Sequence, residues 1–136
     1  MTTALLATAR RPAGPPALYQ RWSELLFLHW QVDPAALRAL LPARLEIDTF
    51  DGRALVGLVP FTMSRIRPRW APAVPWLSAF HETNVRTYVL CDGEPGVWFF
   101  SLEAARLPGV LIGRTLWGLG YRWARMTLER EGARRR

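Results

Sequence analysis

The sequence predicts an α+β domain dominated by strands, and three observations predict it. Apolar and aromatic residues recur in short runs, as in Leu25-Leu26-Phe27-Leu28-His29-Trp30 and Val97-Trp98-Phe99-Phe100-Ser101-Leu102. Two Asp-Gly pairs, Asp51-Gly52 and Asp92-Gly93, stand between such runs where a two-residue hairpin turn fits. Helical spacing is confined to a short segment after Asp33 and to part of residues 108–125.

Residues 1–19 contain Pro12, Gly14, Pro15 and Pro16 and are expected to form a flexible lead-in, with structure beginning near Trp22. Residues 25–30 read as a buried strand. Asp33-Pro34 reads as a helix start, because Asp can accept from free N–H groups and Pro is tolerated at the first helical position. Leu37, Leu40 and Leu41 fall on one face of that helix, and Pro42 ends it. Leu45-Glu46-Ile47-Asp48 alternates as a half-buried strand does. With the Asp51-Gly52 turn and the β-rich run at 53–63 it forms a predicted hairpin. Pro68, Pro72 and Pro75 make residues 65–76 a long loop or an irregular edge. Residues 80–90 are the clearest strand. Asp92-Gly93 and Pro95-Gly96 form the turn region from which residues 97–102 run back. No internal repeat and no second domain is apparent in the pattern, so the expected organisation is a lead-in at 1–19, one domain at 20–128 and a basic tail at 129–136.

Half of the residues are apolar and 12% are aromatic, which argues against disorder across the chain. Of the net charge of +7, +4 falls in the two ends, at Arg10 and Arg11 and in the arginine-rich residues 129–136. A basic tail can bind polyanions weakly, but a solvated terminus is the commoner meaning of such a run. Every basic residue is Arg, so the chain has no Lys. Arg holds its proton too tightly to act as an amine nucleophile. Cys91 is the lone cysteine and can form no intrachain disulfide. No stretch matches a secretory signal or the roughly 18 uninterrupted apolar residues of a spanning helix. The expected location is the cytoplasm.

Several blocks, taken in order, carry a resemblance. They are residues 22–32, then Asp33-Pro34-Ala35-Ala36-Leu37-Arg38-Ala39-Leu40-Leu41-Pro42, Leu45-Glu46-Ile47-Asp48-Thr49-Phe50-Asp51-Gly52 and Val59-Pro60-Phe61. Phe80-His81-Glu82-Thr83-Asn84-Val85-Arg86-Thr87-Tyr88-Val89 and Gly96-Val97-Trp98-Phe99-Phe100-Ser101-Leu102 follow. Over about residues 20–126 the chain resembles the uncharacterised YqjF-like family, a distant branch of the acetoacetate-decarboxylase superfamily. The resemblance implies a β-rich, cone-shaped, partly closed barrel around an internal pocket. It also implies that the barrel is incomplete here, because YqjF-like proteins continue with further strands. An inactive fragment or a self-associating domain is therefore an alternative expectation. In the decarboxylase a lysine amine kept neutral by a neighbouring cation forms a Schiff base. The resemblance places that lysine pair near Leu107-Pro108-Gly109-Val110, where this chain has no amine. It places the enzyme's pocket glutamate at Glu82, and the arginine near its first strand at Ser23.

Strand periodicity assigns Glu82, Asn84, Arg86 and Tyr88 to one face of residues 80–90, and Thr83, Val85, Thr87 and Val89 to the other. The second set is expected to pack. The first is a polar row in which Glu82 is the candidate acid or base and Arg86 the candidate holder of a carboxylate or carbonyl. Asn84, Tyr88 and His81 complete the candidate ligand-binding set. The same row fits an ordinary solvent-facing strand. Glu103 is a candidate for facing the same interior as Glu82. His29 and His81 have no metal-ligand spacing and are expected to be hydrogen-bonded core or pocket-rim residues. Ser101 lacks the Gly-x-Ser-x-Gly setting of a nucleophile. The expected ligand is a small, partly apolar carbonyl or carboxylate compound, with no cofactor and no metal. Trp70 and Trp76 interleave with Arg65, Arg67 and Arg69, so a surface for nucleic acid or anionic lipid is a weaker alternative.

Overall fold

Two long strands carry the fold: β5 (Arg53–Pro68) and β6 (Phe80–Cys91), paired antiparallel from Val56↔Thr87 to Met63↔Phe80. The computed structural model describes residues 13–74 and 78–129. The expectations for residues 1–12, for Trp76 and for the tail at 130–136 lie outside the described residues.

On the far edge of β5 lie two short strands in line, β1 (Leu18–Ser23) and β2 (Leu28–Val32). The helix α1 (Pro34–Arg38) follows, with Asp33 Oδ1 accepting from Ala35 N at 2.9 Å. That contact satisfies one of the free donors at a helix start. Arg38 then holds the chain beyond α1, donating to the carbonyls of Leu41 at 2.9 Å and Pro42 at 2.6 Å, and to that of Leu45. β3 (Leu45–Ile47) pairs with the C-terminal end of β6, and β4 (Thr49–Phe50) turns through Asp51-Gly52 into β5. Both turn residues have positive φ, 49° and 73°, the conformation a two-residue hairpin turn demands. β6 turns through Asp92-Gly93 into β7 (Glu94–Ala104), and the helix α2 (Leu107–Trp117) leads to β8 (Tyr121–Trp123). β8 lies parallel to β7, whereas the other strand pairs are antiparallel. The strand order is β1-β5-β6-β7-β8, an open mixed sheet in agreement with the expected strand-rich α+β class and an incomplete barrel.

Burial switches faces along the sheet. Near β8, the core is Val59, Phe61 and Met63 of β5, with Leu102 and Ala104 of β7 and Val110 of α2. A Cβ on Gly109 would stand 2.9 Å from the Phe80 ring, and one on Gly113 would overlap Tyr121. These two glycines let α2 lie close against this face. At the other end α1 contacts β3 and β5, and Leu37, Leu41, Ala54, Thr87 and Val89 are buried there. Thr87 is fully buried and donates to the Leu55 carbonyl at 2.8 Å.

Five expectations are corrected. The ordered strands begin at Leu18, not near Trp22. The run at 25–30 is not a buried strand: β2 starts at Leu28, and Leu26, Phe27 and Trp30 are each about half exposed. It is an edge segment, and an edge strand is covered on fewer sides than a central one. Residues 65–68 continue β5 rather than opening a loop, because β1 pairs with them. Pro95 and Gly96 lie inside β7, since Asp92-Gly93 makes the turn alone. Residues 45–48 do not form a hairpin with residues 53–63: β3 pairs with β6, and only the two-residue β4 pairs back onto β5. Within residues 108–125 the helical part ends at Trp117, as its spacing predicts, with Gly118 closing α2 at φ 62° before β8. A left-handed glycine is a common helix stop. Among the described residues no helix is long and apolar enough to cross a membrane.

Candidate functional site

The register of β6 places Glu82, Asn84, Arg86 and Tyr88 on the face that carries the core of Val59 and Phe61. Glu82 stands across from Phe61 and Ala104, Asn84 from Val59 and Leu102, and Arg86 from Gly57 and Phe99. This face, and not the one bearing Thr83 and Val85, is the packed one in the half of the sheet under α2. The expected packing face is correct only at Thr87 and Val89, where burial has changed sides.

Glu82 is 4% exposed. Tyr121 of β8 donates its hydroxyl to the carboxylate, at 3.2 Å from Oε1 and 3.1 Å from Oε2. Burial pushes the Glu82 carboxyl up to about 7, and the Tyr121 hydrogen bond opposes part of that rise. The Tyr121 hydroxyl is itself pushed up, first by burial and then by the neighbouring carboxylate. A carboxyl held near neutrality can give or take a proton at ordinary pH.

At the other end of the row, Tyr88 Oη lies 2.8 Å from His29 Nε2 of β2, with the two rings 5.8 Å apart. Gly57 makes this approach feasible, because a Cβ there would stand 3.0 Å from His29 Nε2 and 3.6 Å from Arg86 Cγ. The Arg86 guanidinium sits 5.2 Å from the Phe27 ring centre and 5.8 Å from that of Tyr88. Aromatic faces attract a cation. The row therefore has a buried carboxyl at one end, an aromatic-flanked cation towards the other and Asn84 between them.

Two buried polar atoms in the row have no hydrogen-bond partner among the described residues: Asn84 Oδ1 and Arg86 Nε. Such atoms are rare in folded proteins and each calls for an explanation.

The structure does not bring every sequence-derived candidate together. His81 faces the other side of the sheet, where its Nδ1 lies 3.0 Å from Thr62 Oγ1. Glu103 pairs in register with Thr83 and so also turns away from Glu82. On that opposite side Leu26, Pro60, Thr62, His81, Thr83 and Met126 line part of an open groove of about 500 Å³. Ser23, at the position the resemblance gives to an arginine, donates weakly to the Thr62 carbonyl at 3.5 Å. The segment at which the resemblance places the lysine pair is the first turn of α2, with Val110 buried and Gly109 against Phe80. Tyr121 had no local signal, because a parallel strand reached through a helix leaves none. His29 needed the β2–β5 register, which pairs it with Gly57. Among the described residues no cluster of His, Cys, Asp and Glu is arranged to hold a metal ion.

Comparison with known proteins agrees with this architecture. A family described as uncharacterized conserved protein, DUF2071, matches residues 19–136. The uncharacterized protein YqjF of Bacillus subtilis is 44% identical over 121 residues, covering 89% of this chain and 50% of that protein. The chain thus spans about half the length of this relative. Among solved structures, acetoacetate decarboxylase from Legionella pneumophila superposes with a TM-score of 0.65 at 22% identity, over 88% of this chain and 42% of that one. The enduracididine biosynthesis enzyme MppR, complexed with the condensation product of pyruvate and imidazole 4-carboxaldehyde, gives 0.61 at 18% identity, over 89% of this chain and 47% of that one. At these identities the likeness concerns the fold. On the extent of the family match and the identity to YqjF, the chain belongs to the DUF2071 family of uncharacterized conserved proteins, built on the acetoacetate-decarboxylase-like fold.

Proposed function

We propose that the row Glu82, Asn84, Arg86 and Tyr88 is the polar wall of a binding site for a small, partly apolar carboxylate or carbonyl compound. The observation that carries this reading is the pair of buried, unpartnered atoms, Asn84 Oδ1 and Arg86 Nε, on a strand face otherwise lined by Val59, Phe61 and Leu102. A permanent cation held between Phe27 and Tyr88, with no carboxylate partner among the described residues, suits an anionic ligand. A fold neighbour complexed with a pyruvate-derived product is in keeping with that ligand class.

Any reaction at this site would be proton transfer through Glu82. The chain has no Lys, so no side chain in it can form an imine with a carbonyl compound. Titration calorimetry with small aliphatic keto and hydroxy acids tests the reading. Binding by the unaltered chain, lost in Arg86→Ala and weakened in Glu82→Gln, is the expected result. Affinity unchanged by Arg86→Ala would refute it, and a borohydride-trapped adduct would refute the exclusion of imine chemistry.

A second reading, a domain that associates with itself, draws on the apolar side chains at the surface. Leu107, Leu111, Leu116 and Trp117 of α2 are each more than half exposed, as is Trp30 of β2. Light scattering over a concentration series separates the two readings, since the first requires no association.

A further inference from the structure

The two unpartnered atoms of the row differ in hydrogen-bonding sense. Asn84 is 4% exposed, and its buried Oδ1 is an acceptor. The buried Nε of Arg86 is a donor, part of a group that stays charged. The two residues are two positions apart on one strand face, so their Cα atoms are roughly 7 Å apart. Their neighbours along the row already have partners: Glu82 has Tyr121, and Tyr88 has His29. Across the sheet, Asn84 meets only the side chains of Val59 and Leu102 in register, which offer it no donor. Gly57, opposite Arg86, has no side chain to offer.

With Asn84 oriented as the structure has it, a ligand that satisfies both atoms brings a negatively charged acceptor to Arg86 and a donor to Asn84 Oδ1. A keto acid brings acceptors alone, so even where its carbonyl accepts from Asn84 Nδ2 it leaves the buried Oδ1 without a donor. A hydroxy acid brings both groups. We infer that the site selects hydroxy carboxylates over the matching keto acids, with the carboxylate on Arg86 and the hydroxyl donating to Asn84 Oδ1. This inference rests on the carboxylate-site reading above and goes beyond it by naming the class.

The test is calorimetric titration of the full 136-residue chain with matched four-carbon pairs: 2-hydroxybutyrate against 2-oxobutyrate, and 3-hydroxybutyrate against acetoacetate. The expected result is that the hydroxy member of at least one pair binds about tenfold tighter or more, since a site built around a hydroxyl rejects the analogue lacking it. Asn84→Leu should abolish the preference by weakening the hydroxy acid to the level of the keto acid. Asn84→Ser, which keeps an acceptor, should retain part of it, and circular dichroism establishes that each variant is folded. Keto acids bound as tightly as hydroxy acids, with both lost in Arg86→Ala, would overturn the inference and leave the carboxylate site standing. So would a preference that survives Asn84→Leu. No binding of either acid would overturn the carboxylate site and this inference together.

Discussion

Tyr121 Oη stands 3.1 Å from one carboxylate oxygen of Glu82 and 3.2 Å from the other, across 39 residues of sequence. The contact closes the end of the polar row and ties β8 to β6, strands separated in the sheet by β7. It also fixes what happens when the proton on Glu82 leaves.

Stability should fall as the pH rises through neutrality. Burial holds the Glu82 carboxyl at about 7, above its ordinary value of 4.5. The folded state then binds the proton more tightly than the unfolded chain. The stabilising contribution is fully present below about 4.5 and is lost as the pH rises through about 7. A shift of this size is worth on the order of 3 kcal/mol. Glu82→Gln carries no such proton and should flatten the curve. Urea unfolding at intervals from about pH 4.5 to about pH 8 measures the slope. A wild-type stability that rises over that window would contradict the burial argument.

Parts of this arrangement were legible in the sequence and parts were not. The strand predicted before Asp51-Gly52, residues 45–48, pairs with β6 instead of β5. Yet Asp51-Gly52 and Asp92-Gly93 marked both turns, because turn chemistry is local and needs only a residue that accepts positive φ. The side-chain alternation of residues 80–90 placed Glu82, Asn84, Arg86 and Tyr88 together for the same reason. Which face would be covered was not legible. Thr83 and Val85 looked like the packing side by composition, but cover comes from α2 and β8, which arrive later in the chain. Nor could periodicity tell that Leu26 and Trp30 lie on a sheet edge, since exposure depends on neighbours distant in sequence.

Gly113→Ala should destabilise the fold and disturb the Glu82 contact. The added Cβ would overlap the Tyr121 ring, so either α2 or Tyr121 must move. Forcing an extra carbon into a packed contact costs about 1–3 kcal/mol. Gly120→Ala is the control, because a Cβ there meets nothing within 4 Å. Thermal unfolding should show a loss for the first and little change or a gain for the second. Equal effects would mean that α2 is not packed on β8 in this way.

Arg38→Met should loosen the segment between α1 and β3. The guanidinium serves the carbonyls of Leu41, Pro42 and Leu45 at once, and Met keeps the stem without the donors. Hydrogen bonds from a charged group are worth about 1.5–3 kcal/mol each at most, and those near solvent are worth less. A total loss of about 1–3 kcal/mol is expected, with faster amide exchange confined to residues 38–48. Loss of protection spread evenly over β6 and β7 would argue against a local role.

Arg86→Met separates a structural role for the cation from a binding role. Two terms oppose each other in the unliganded protein. Contacts of the guanidinium with the Phe27 and Tyr88 rings stabilise it by about 0.5–1 kcal/mol each. The buried, unpartnered Nε costs about 1–3 kcal/mol. Met fills similar space, remains in contact with both rings and leaves no polar atom unsatisfied. The variant should therefore unfold at the same temperature as the parent or higher, while losing affinity for carboxylates. A site that costs stability to maintain is the usual mark of a group kept for binding. If Arg86→Met instead lowers the unfolding temperature by several degrees, the guanidinium holds Phe27 and Tyr88 in place, and the row is a structural feature of the sheet.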